Sequence, residues 1–402
     1  MTSISSIETV RVNPVPARPA WGAVYAMTLC TFVLVASEFM PVSLLSPIAR
    51  ELQLSKGQAG QAIAISGLFA MVASLSIGRL IGGVDRRLVL LGLTALLILS
   101  GGVVAFAPNY AVLMVGRAIL GIAIGGFWSM SAAIVMRLVP ADSVPRALAV
   151  LNGGNAIATV VGAPLGSFLG GLIGWRGAFF CVVPLAVAAT LWQAFSLPRL
   201  AAEPRTGNSG MAALLRRKAV LVGLGGAALL FMGQFALYTY LRPFLEQVTG
   251  ASLGVLSTLL LVVGVSGFVG TTLIGRLIGP RLHLLLAALP AIMALTAIGL
   301  AVFGSSLWIV AGLLALWGLV GTAAPVAWWT WVTRAAPDHA EAGGGLMVAV
   351  VQLAIMSGAT LGGLAYDAFG PRIEFLGSAA ILAVAGLVAL CCDVPSGKGA
   401  DA

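Results

Sequence analysis

The chain has 402 residues, of which 60% are hydrophobic and only 9% are charged, and its mean hydropathy is +1.06. A water-soluble globule of this size needs more polar surface, so the composition excludes that class and predicts an integral membrane protein. The net charge of +9 could suggest a nucleic-acid partner, but membrane topology explains the basic residues better. We therefore expect the lipid bilayer, and no nucleic acid, as the surroundings of the chain.

Twelve apolar stretches are each long enough for a membrane-spanning helix, which needs about 20 residues. These spans are centred near residues 33, 68, 97, 124, 158, 186, 230, 263, 293, 320, 353 and 383. The pattern predicts an all-α integral membrane protein with twelve transmembrane helices in two six-helix pseudo-repeats. The predicted parts are an N-terminal tail (1–20), a first bundle (21–197), a linker (198–218), a second bundle (219–392) and a C-terminal tail (393–402).

An internal duplication relates the two predicted bundles. Residues 78–82, Gly-Arg-Leu-Ile-Gly, recur unchanged as residues 275–279. Further pairs in nearly the same register are Glu38 and Gln234, Gly174 and Gly370, and Arg176 and Arg372. Because each half has an even number of spans, the repeats share one orientation, and a substrate is expected to bind between them.

Basic residues are distributed unevenly between the two sides of the predicted bundles. Most lie on one side, and those on the other are Arg50, Lys56, Arg176, Arg242 and Arg372. The positive-inside rule makes the richer side cytoplasmic, so both termini and the linker are expected in the cytoplasm. The first twenty residues contain three prolines and no apolar core, so we expect a tail and not a cleaved signal.

Two charged residues inside the spans are the main functional clue, because a charge at mid-bilayer costs roughly 2.5–3.5 kcal/mol. Glu38 is the one acid that we expect well inside a span, and the helical rise places it at about the depth of Arg117. Pro41 removes the helical partner of the Ser37 carbonyl and leaves a free acceptor beside Glu38. Burial favours a protonated carboxyl and a nearby guanidinium favours the carboxylate, so movement of Arg117 would make Glu38 bind or release a proton. A static ion pair for assembly is the alternative.

Amides and aromatic residues on four spans form a predicted solute site. The candidate substrate-binding residues are Trp128, Asn155, Phe231, Gln234, Tyr238, Trp317 and Trp328. Aromatic faces beside amides suit a flat, neutral, hydrogen-bonding solute. An interfacial tryptophan belt is the alternative for part of this set, and close helix packing is the alternative for the glycines that accompany Asn155.

The sequence contains no pattern typical of a catalytic or metal site. The cysteines lack metal-ligand spacing and lie in or at the ends of spans: Cys30, Cys181, Cys391 and Cys392. No nucleophile, base and orienting group converge, and no loop is long enough for a catalytic domain. We therefore predict no enzyme activity, no disulfide and no metal.

Two six-helix halves with these loops resemble the major facilitator superfamily, specifically its twelve-helix drug:proton antiporter branch. The motifs that carry the resemblance are Arg117 with Gly121 in span 4 and residues 162–176, which include Gly162-Ala163-Pro164-Leu165-Gly166, in span 5. In the loop after span 2, Gly82 stands where the family usually has an acid, so Asp85 is expected to take part of that role. The resemblance implies gating or motif roles for Gly78, Asp85, Arg86, Arg87, Gly162, Pro164 and Gly166.

Within that branch, residues 37–61 and 116–140 are similar to exporters of purine ribonucleosides. The resemblance implies a monomeric antiporter of the bacterial inner membrane that exchanges protons for small neutral solutes such as inosine or guanosine. Glu38 would carry the proton, Arg117 would tune it, and the proton gradient would take the place of a cofactor. Export of sugars or drugs, with drug resistance as its result, is the nearest alternative. The others are an uptake symporter and, from another class, a membrane sensor without flux.

Overall fold

The computed structural model describes residues 19–201, 209–336, 338 and 340–392, which form helices and their connections. The helices are α1 (Trp21–Glu51), α2 (Lys56–Leu80), α3 (Arg86–Ala105), α4 (Tyr110–Leu138), α5 (Val144–Phe180), α6 (Val182–Ser196), α7 (Ser209–Leu215), α8 (Lys218–Phe244), α9 (Leu253–Phe303), α10 (Leu307–Ala335), α11 (Ala340–Phe369) and α12 (Pro371–Leu390). Most of the predicted N-terminal tail, residues 202–208 of the predicted linker and the predicted C-terminal tail lie outside the described residues.

The long helix α9 contains two of the predicted spans. Its 51 residues would measure about 77 Å if straight, more than twice a hydrocarbon core of about 30 Å. Both of its ends lie at the same end of the bundle, because its first residue packs against Gly171 and Gly304, which follows it, packs against Phe244. The chain therefore reverses between two apolar segments, Leu253–Ile278 and Arg281–Phe303, each long enough to cross a membrane.

Two glycines with positive φ occupy equivalent positions in the two halves. Gly174, inside α5, has φ 74° and ψ 165°, and Gly370, just before α12, has φ 83° and ψ 175°. Glycine adopts such angles without a Cβ clash, which explains the residue type at both corners. The two halves thus agree at this pair, as the register of the internal repeat predicts. The predicted all-α membrane class is confirmed: the described residues contain eleven apolar stretches long enough to span a membrane, and one of them, Ala141–Ser196, contains both α5 and α6, which accounts for twelve spans.

Glycines allow close approach between the helices that position the charged residues. A Cβ on Gly121 or Gly125 of α4 would collide with the α2 backbone at Ser66 or Ala70. On α5, Cβ atoms would meet α1 at each of these glycines: Gly154, Gly162 and Gly166. The close-packing interpretation of the glycines in spans 4 and 5 therefore describes their contacts, as expected for small residues at membrane helix interfaces.

The two halves are joined at one end of the bundle. We call this the Glu51 end, where α1 finishes, and the opposite one the Trp21 end, where α1 begins. Among the described residues, the hydrogen bonds between the halves run from mid-depth to the Glu51 end. Toward the Trp21 end, Gly78 of α2 and Gly345 of α11 have no neighbouring atom within 4 Å of an added Cβ. The space beside these two glycines is therefore open toward the Trp21 end.

Candidate functional site

Arg117 of α4 is the most deeply enclosed charge, with 0% of its surface exposed. Its Nη1 donates to the Ser37 carbonyl at 2.7 Å, and its Nε donates to the Ala62 carbonyl at 2.8 Å. Its Nη2 donates at 3.1 Å both to the Glu38 carbonyl and to the Ser66 hydroxyl. The guanidinium therefore ties together α1, α2 and α4 through neutral acceptors.

The acceptor beside Glu38 that Pro41 was predicted to free is the one that Arg117 uses. The same arrangement occurs at two further prolines, because each lacks the N–H that would bond the carbonyl four residues earlier. Pro47 frees the Ser43 carbonyl, to which Arg242 of α8 donates. Pro325 frees the Gly321 carbonyl, to which the Gln234 amide donates at 3.1 Å. These prolines create polar acceptors inside the apolar bundle.

The carboxyl of Glu38 contacts the other half of the protein and not the guanidinium. Glu38 is 5% exposed, and its Oε1 accepts from Nε2 of Gln352 on α11 at 3.4 Å. No ion pair joins it to Arg117 within the described part of the chain; the two are neighbours through the Glu38 backbone carbonyl. The other amide atom of Gln352, Oε1, is buried without a partner. A proton on Glu38 would therefore act directly on a contact between the halves.

An aromatic cluster lies one residue further along α1. The ring of Phe39 stacks on Phe235 of α8 with centroids 5.7 Å apart, and it meets Tyr238 edge to face at 6.4 Å. Such clusters offer both a flat apolar face and a hydroxyl. Tyr238 was predicted for the solute site, whereas Phe39 and Phe235 were not.

A second polar group lies in the C-terminal half around Gln234. Its Oε1 is buried without a partner, while its Nε2 is held by Gly321. A Cβ on Gly321 would lie 3.3 Å from Nε2 of Gln234 and 3.9 Å from Nε1 of Trp317. Gln234 and Trp317, both predicted for the solute site, are thus close to each other.

The remaining predicted solute residues are less clearly grouped. Trp328 is 1% exposed and packs against Gly226 of α8, yet its indole N–H has no partner. Phe231 is 6% exposed within the C-terminal core. Trp128 and Asn155 are half-buried in the N-terminal half. These contacts do not test their proposed role with a solute.

The loop residues of the predicted gate contact their own half among the described residues. Asp85 caps α3 by accepting from the Arg87 N–H at 2.9 Å, and it also accepts from the Leu200 N–H at 3.0 Å. Arg86 donates to the Ile81 carbonyl, and Arg87 donates to the Ala194 carbonyl. Their gating role stays a prediction, as does that of Gly78, Gly162, Pro164 and Gly166.

A polar clasp at the Glu51 end was not foreseen from the sequence. The carboxylate of Asp367 on α11 accepts from the Ser55 hydroxyl at 2.5 Å and from the Gly57 N–H at 3.0 Å. Ser55 is the N-cap of α2, so the acid of one half lies at the positive end of a helix dipole of the other. A Cβ on Gly57 would collide with Asp367 and with the Gly363 carbonyl. This clasp joins the two halves at the Glu51 end.

Gln352 and Glu374 were also missed. A lone amide in the middle of span 11 was the available signal for Gln352. Glu38 is not the only enclosed acid, because Glu374 in the first turn of α12 is 1% exposed. The sequence analysis did not single out Glu374, which tertiary packing buries although it lies at a helix end.

The pairing of Gln234 with the carbonyl freed by Pro325 can be tested by a double-mutant cycle. Gln234→Leu leaves the buried Gly321 carbonyl without a donor and is expected to cost roughly 1–3 kcal/mol of stability. Pro325→Ala supplies a helical N–H, so the double variant should regain most of that loss. Thermal unfolding of purified protein in detergent measures all four proteins, and strictly additive effects would contradict the pairing.

One family model and two curated relatives each match most of the chain. The family model described as Major Facilitator Superfamily matches residues 27–358. The chain is 54% identical over 389 residues to the transcription regulatory protein OpdE of Pseudomonas aeruginosa, with 96% of each chain covered. It is 44% identical over 354 residues to the purine ribonucleoside efflux pump NepI of Salmonella paratyphi C, with 88% of this chain and 89% of the relative covered.

Solved structures of the same architecture support the fold. A bacterial homolog of the human lysosomal transporter Spinster superposes with a TM-score of 0.78 at 16% identity, covering 93% of this chain and 96% of the other. The human organic anion transporter MFSD10 gives a TM-score of 0.69 at 18% identity, covering 92% and 100%. At these identities the likeness concerns the fold alone.

Proposed function

The chain belongs to the major facilitator superfamily, a family of membrane transporters and not of enzymes, and on that premise we propose that it exports purine ribonucleosides in exchange for protons. The observation that carries this proposal is the Glu38–Gln352 contact, which places a buried titratable carboxyl on the boundary between the halves. Both termini are assigned to the cytoplasm, so that the Trp21 end opens inward.

The proposed coupling follows from how a proton changes this contact. The carboxylate of Glu38 accepts a charge-assisted hydrogen bond from Gln352, which is stronger than a bond to a neutral carboxyl. Protonation weakens the tie between α1 and α11 and reduces the attraction to the nearby Arg117. Because Arg117 is fixed by backbone carbonyls, it stays in place while the protonation state of Glu38 changes. The halves can then rock about the site.

The unpartnered groups around the site match a purine nucleoside. The Oε1 atoms of Gln234 and Gln352 are acceptors in need of donors, which the ring N–H and exocyclic amino groups of guanosine provide. The Phe39, Phe235 and Tyr238 cluster offers a face for the flat base. The 44% identity with a relative named as a purine ribonucleoside efflux pump supports the same substrate class.

The energetics suit one neutral solute exchanged for one proton. A potential of about 100 mV supplies roughly 2.3 kcal/mol per charge, which sustains a solute gradient of about fiftyfold. That is sufficient for export of an overflow metabolite or a toxic analogue.

Proton release from energised, inverted membrane vesicles tests the proposal. Vesicles are acidified internally, and inosine, guanosine, arabinose or a lipophilic drug is then added while a pH-sensitive dye reports the gradient. We expect dye recovery with the two nucleosides and none with Glu38→Gln. Asp142→Asn, the same acid-to-amide change at an exposed turn, is the matched control and should behave as wild type.

Each other pattern of recovery identifies a different mechanism. Recovery with arabinose or the drug alone would assign sugar or drug export, and accumulation of solute in whole cells would indicate uptake by symport. Recovery that survives Glu38→Gln would move the proton site elsewhere. No recovery with any solute would contradict antiport.

A role in transcriptional regulation is the second candidate, because a relative at 54% identity is named as a transcription regulatory protein. In this case the chain would act as a membrane sensor, and its effect on gene expression would not require flux. Glu38→Gln separates the two candidates. If the variant abolishes flux but restores expression in cells lacking the chain, sensing is favoured; if it restores neither, regulation follows from transport.

A further inference from the structure

Glu374 is a buried acid that the mechanism above does not use. It lies in the first turn of α12, is 1% exposed, and neither oxygen of its carboxyl has a hydrogen-bond partner. An ionised carboxylate without a partner in such surroundings is strongly unfavourable, whereas a protonated carboxyl is tolerated. A buried acid without a partner makes the fold less stable than an apolar side chain would. Packing therefore does not explain why this position carries an acid.

The same place in the N-terminal half is closed by a plug of interacting side chains. Trp175 is 1% exposed, its indole N–H donates to Glu51, and the Arg176 guanidinium lies over its ring at 4.3 Å. Arg176 also pairs with Glu51. The residue equivalent to Glu374 in this half is Ala178, which carries no charge.

The C-terminal half keeps the arginine of this plug but replaces its acid and its tryptophan. In the register of the repeat, Gln247 stands for Glu51, Pro371 stands for Trp175, and Arg372 has no acidic partner among the described residues. The result is a surface cavity of about 390 Å³, lined by Gln247, Val248, Phe369, Gly370, Pro371 and Arg372. Glu374 lies one helical turn from the lining residue Gly370, whose carbonyl accepts from the Glu374 N–H.

Few other titratable groups lie beside Glu374. On α8 and α11 they are Tyr240 and Tyr366, whose rings are 5.4 Å apart, and Asp367 and Glu246 lie at the same end of the bundle. From α9, His283 lies against the far end of α12, where its Nε2 is 3.4 Å from the Leu390 carbonyl, and the residues that follow it, 284–303, contain no titratable group. The Tyr366 hydroxyl donates to Gln247 on the cavity wall at 2.9 Å, so Tyr366 joins the cavity to the pair of tyrosine rings.

We propose that Glu374 is a second proton-binding site, which the cavity beside Pro371 connects with the solution at the Glu51 end. The acid holds a proton while this end is closed and exchanges it through the cavity. The inference rests on the proposed proton coupling, to which it adds an entry point in the C-terminal half. The N-terminal half, with its plug and Ala178, offers no equivalent.

Infrared difference spectroscopy tests the site without any solute. In purified Glu38→Gln protein, a C=O stretch of a protonated carboxyl should remain at neutral pH and shift in D₂O, and it should disappear in the Glu38→Gln, Glu374→Gln double variant. Pro371→Trp places the tryptophan of the N-terminal plug at the equivalent position of the second half. The Pro371→Trp variant should keep the C=O band of the protonated carboxyl. The shift of this band in D₂O should be slower, because the tryptophan ring would fill the cavity. A spectrum that Glu374→Gln leaves unchanged would overturn the proposal.

Transport assays test whether proton binding at Glu374 is required for transport driven by the proton gradient. In proteoliposomes, Glu374→Gln should lose gradient-driven movement of labelled inosine but retain exchange of inosine at equal pH on both sides. Full gradient-driven movement in this variant would overturn the proposal. If wild type moves no inosine at all, the proposed substrate fails while the infrared result still decides whether Glu374 binds a proton.

Discussion

Replacing Arg117 by methionine is expected to lower the free energy of unfolding by roughly 3–5 kcal/mol and to abolish transport. The Ser37 carbonyl cannot bond within its helix because of Pro41, so it would lose its donor in a fully buried place. Hydrogen bonds to charged groups contribute roughly 1.5–3 kcal/mol each, and Arg117 makes four across three helices. Since total stabilities are about 5–15 kcal/mol, the effect approaches loss of the fold.

Thermal unfolding in detergent, followed by size-exclusion chromatography of the surviving fraction, measures this effect. Arg50→Met is the matched control, because Arg50 is exposed in the last turn of α1 and should tolerate the change. Arg117→Lys keeps the charge, but one ammonium group cannot reach acceptors that surround a guanidinium, so only partial recovery is expected. An Arg117→Met protein as stable as wild type would show that the network does not hold the N-terminal half.

The sequence predicted the features that local chemistry determines. Apolar length gave the twelve spans, and the repeat register gave the paired glycines at positions 174 and 370. Pro41 indicated the free carbonyl at Ser37 because proline removes one specific helical bond. The same rule applied to Pro47 and Pro325 would have identified the acceptors used by Arg242 and Gln234.

Contacts between the halves could not be predicted in this way. The pairings of Glu38 with Gln352 and of Asp367 with Ser55 join residues roughly three hundred positions apart, and they depend on how the halves are docked. Distance from a helix end was also a poor measure of exposure. Tertiary packing encloses Glu374 in the first turn of α12, and it places Asp367, near the end of α11, against α2.

Removing the carboxylate of Asp367 is expected to open the Glu51 end. Asp367→Ala deletes two hydrogen bonds and a favourable charge at the N-terminus of α2, which together contribute about 2 kcal/mol. The equilibrium between the closed and the open form of the Glu51 end should therefore shift roughly thirtyfold toward the open form. Ser167→Cys serves as the probe, since Ser167 is 0% exposed and bonds Ser257 across the halves. Its labelling by an impermeant maleimide, added on the side of the membrane that the Glu51 end faces, should rise accordingly.

A second substitution separates charge from packing at the same contact. Gly57→Ala retains the carboxylate but places a methyl group where Asp367 and the Gly363 carbonyl lie, so it too should raise labelling of the Ser167→Cys probe. Asp142→Ala, an exposed acid in the turn before α5, should leave labelling unchanged. A rise with Gly57→Ala alone would assign closure to packing, and a rise with Asp367→Ala alone would assign it to charge at the helix end. Because charge and close packing act at the same contact, we expect each substitution alone to raise labelling. Unchanged labelling in both variants would show that other contacts close the Glu51 end.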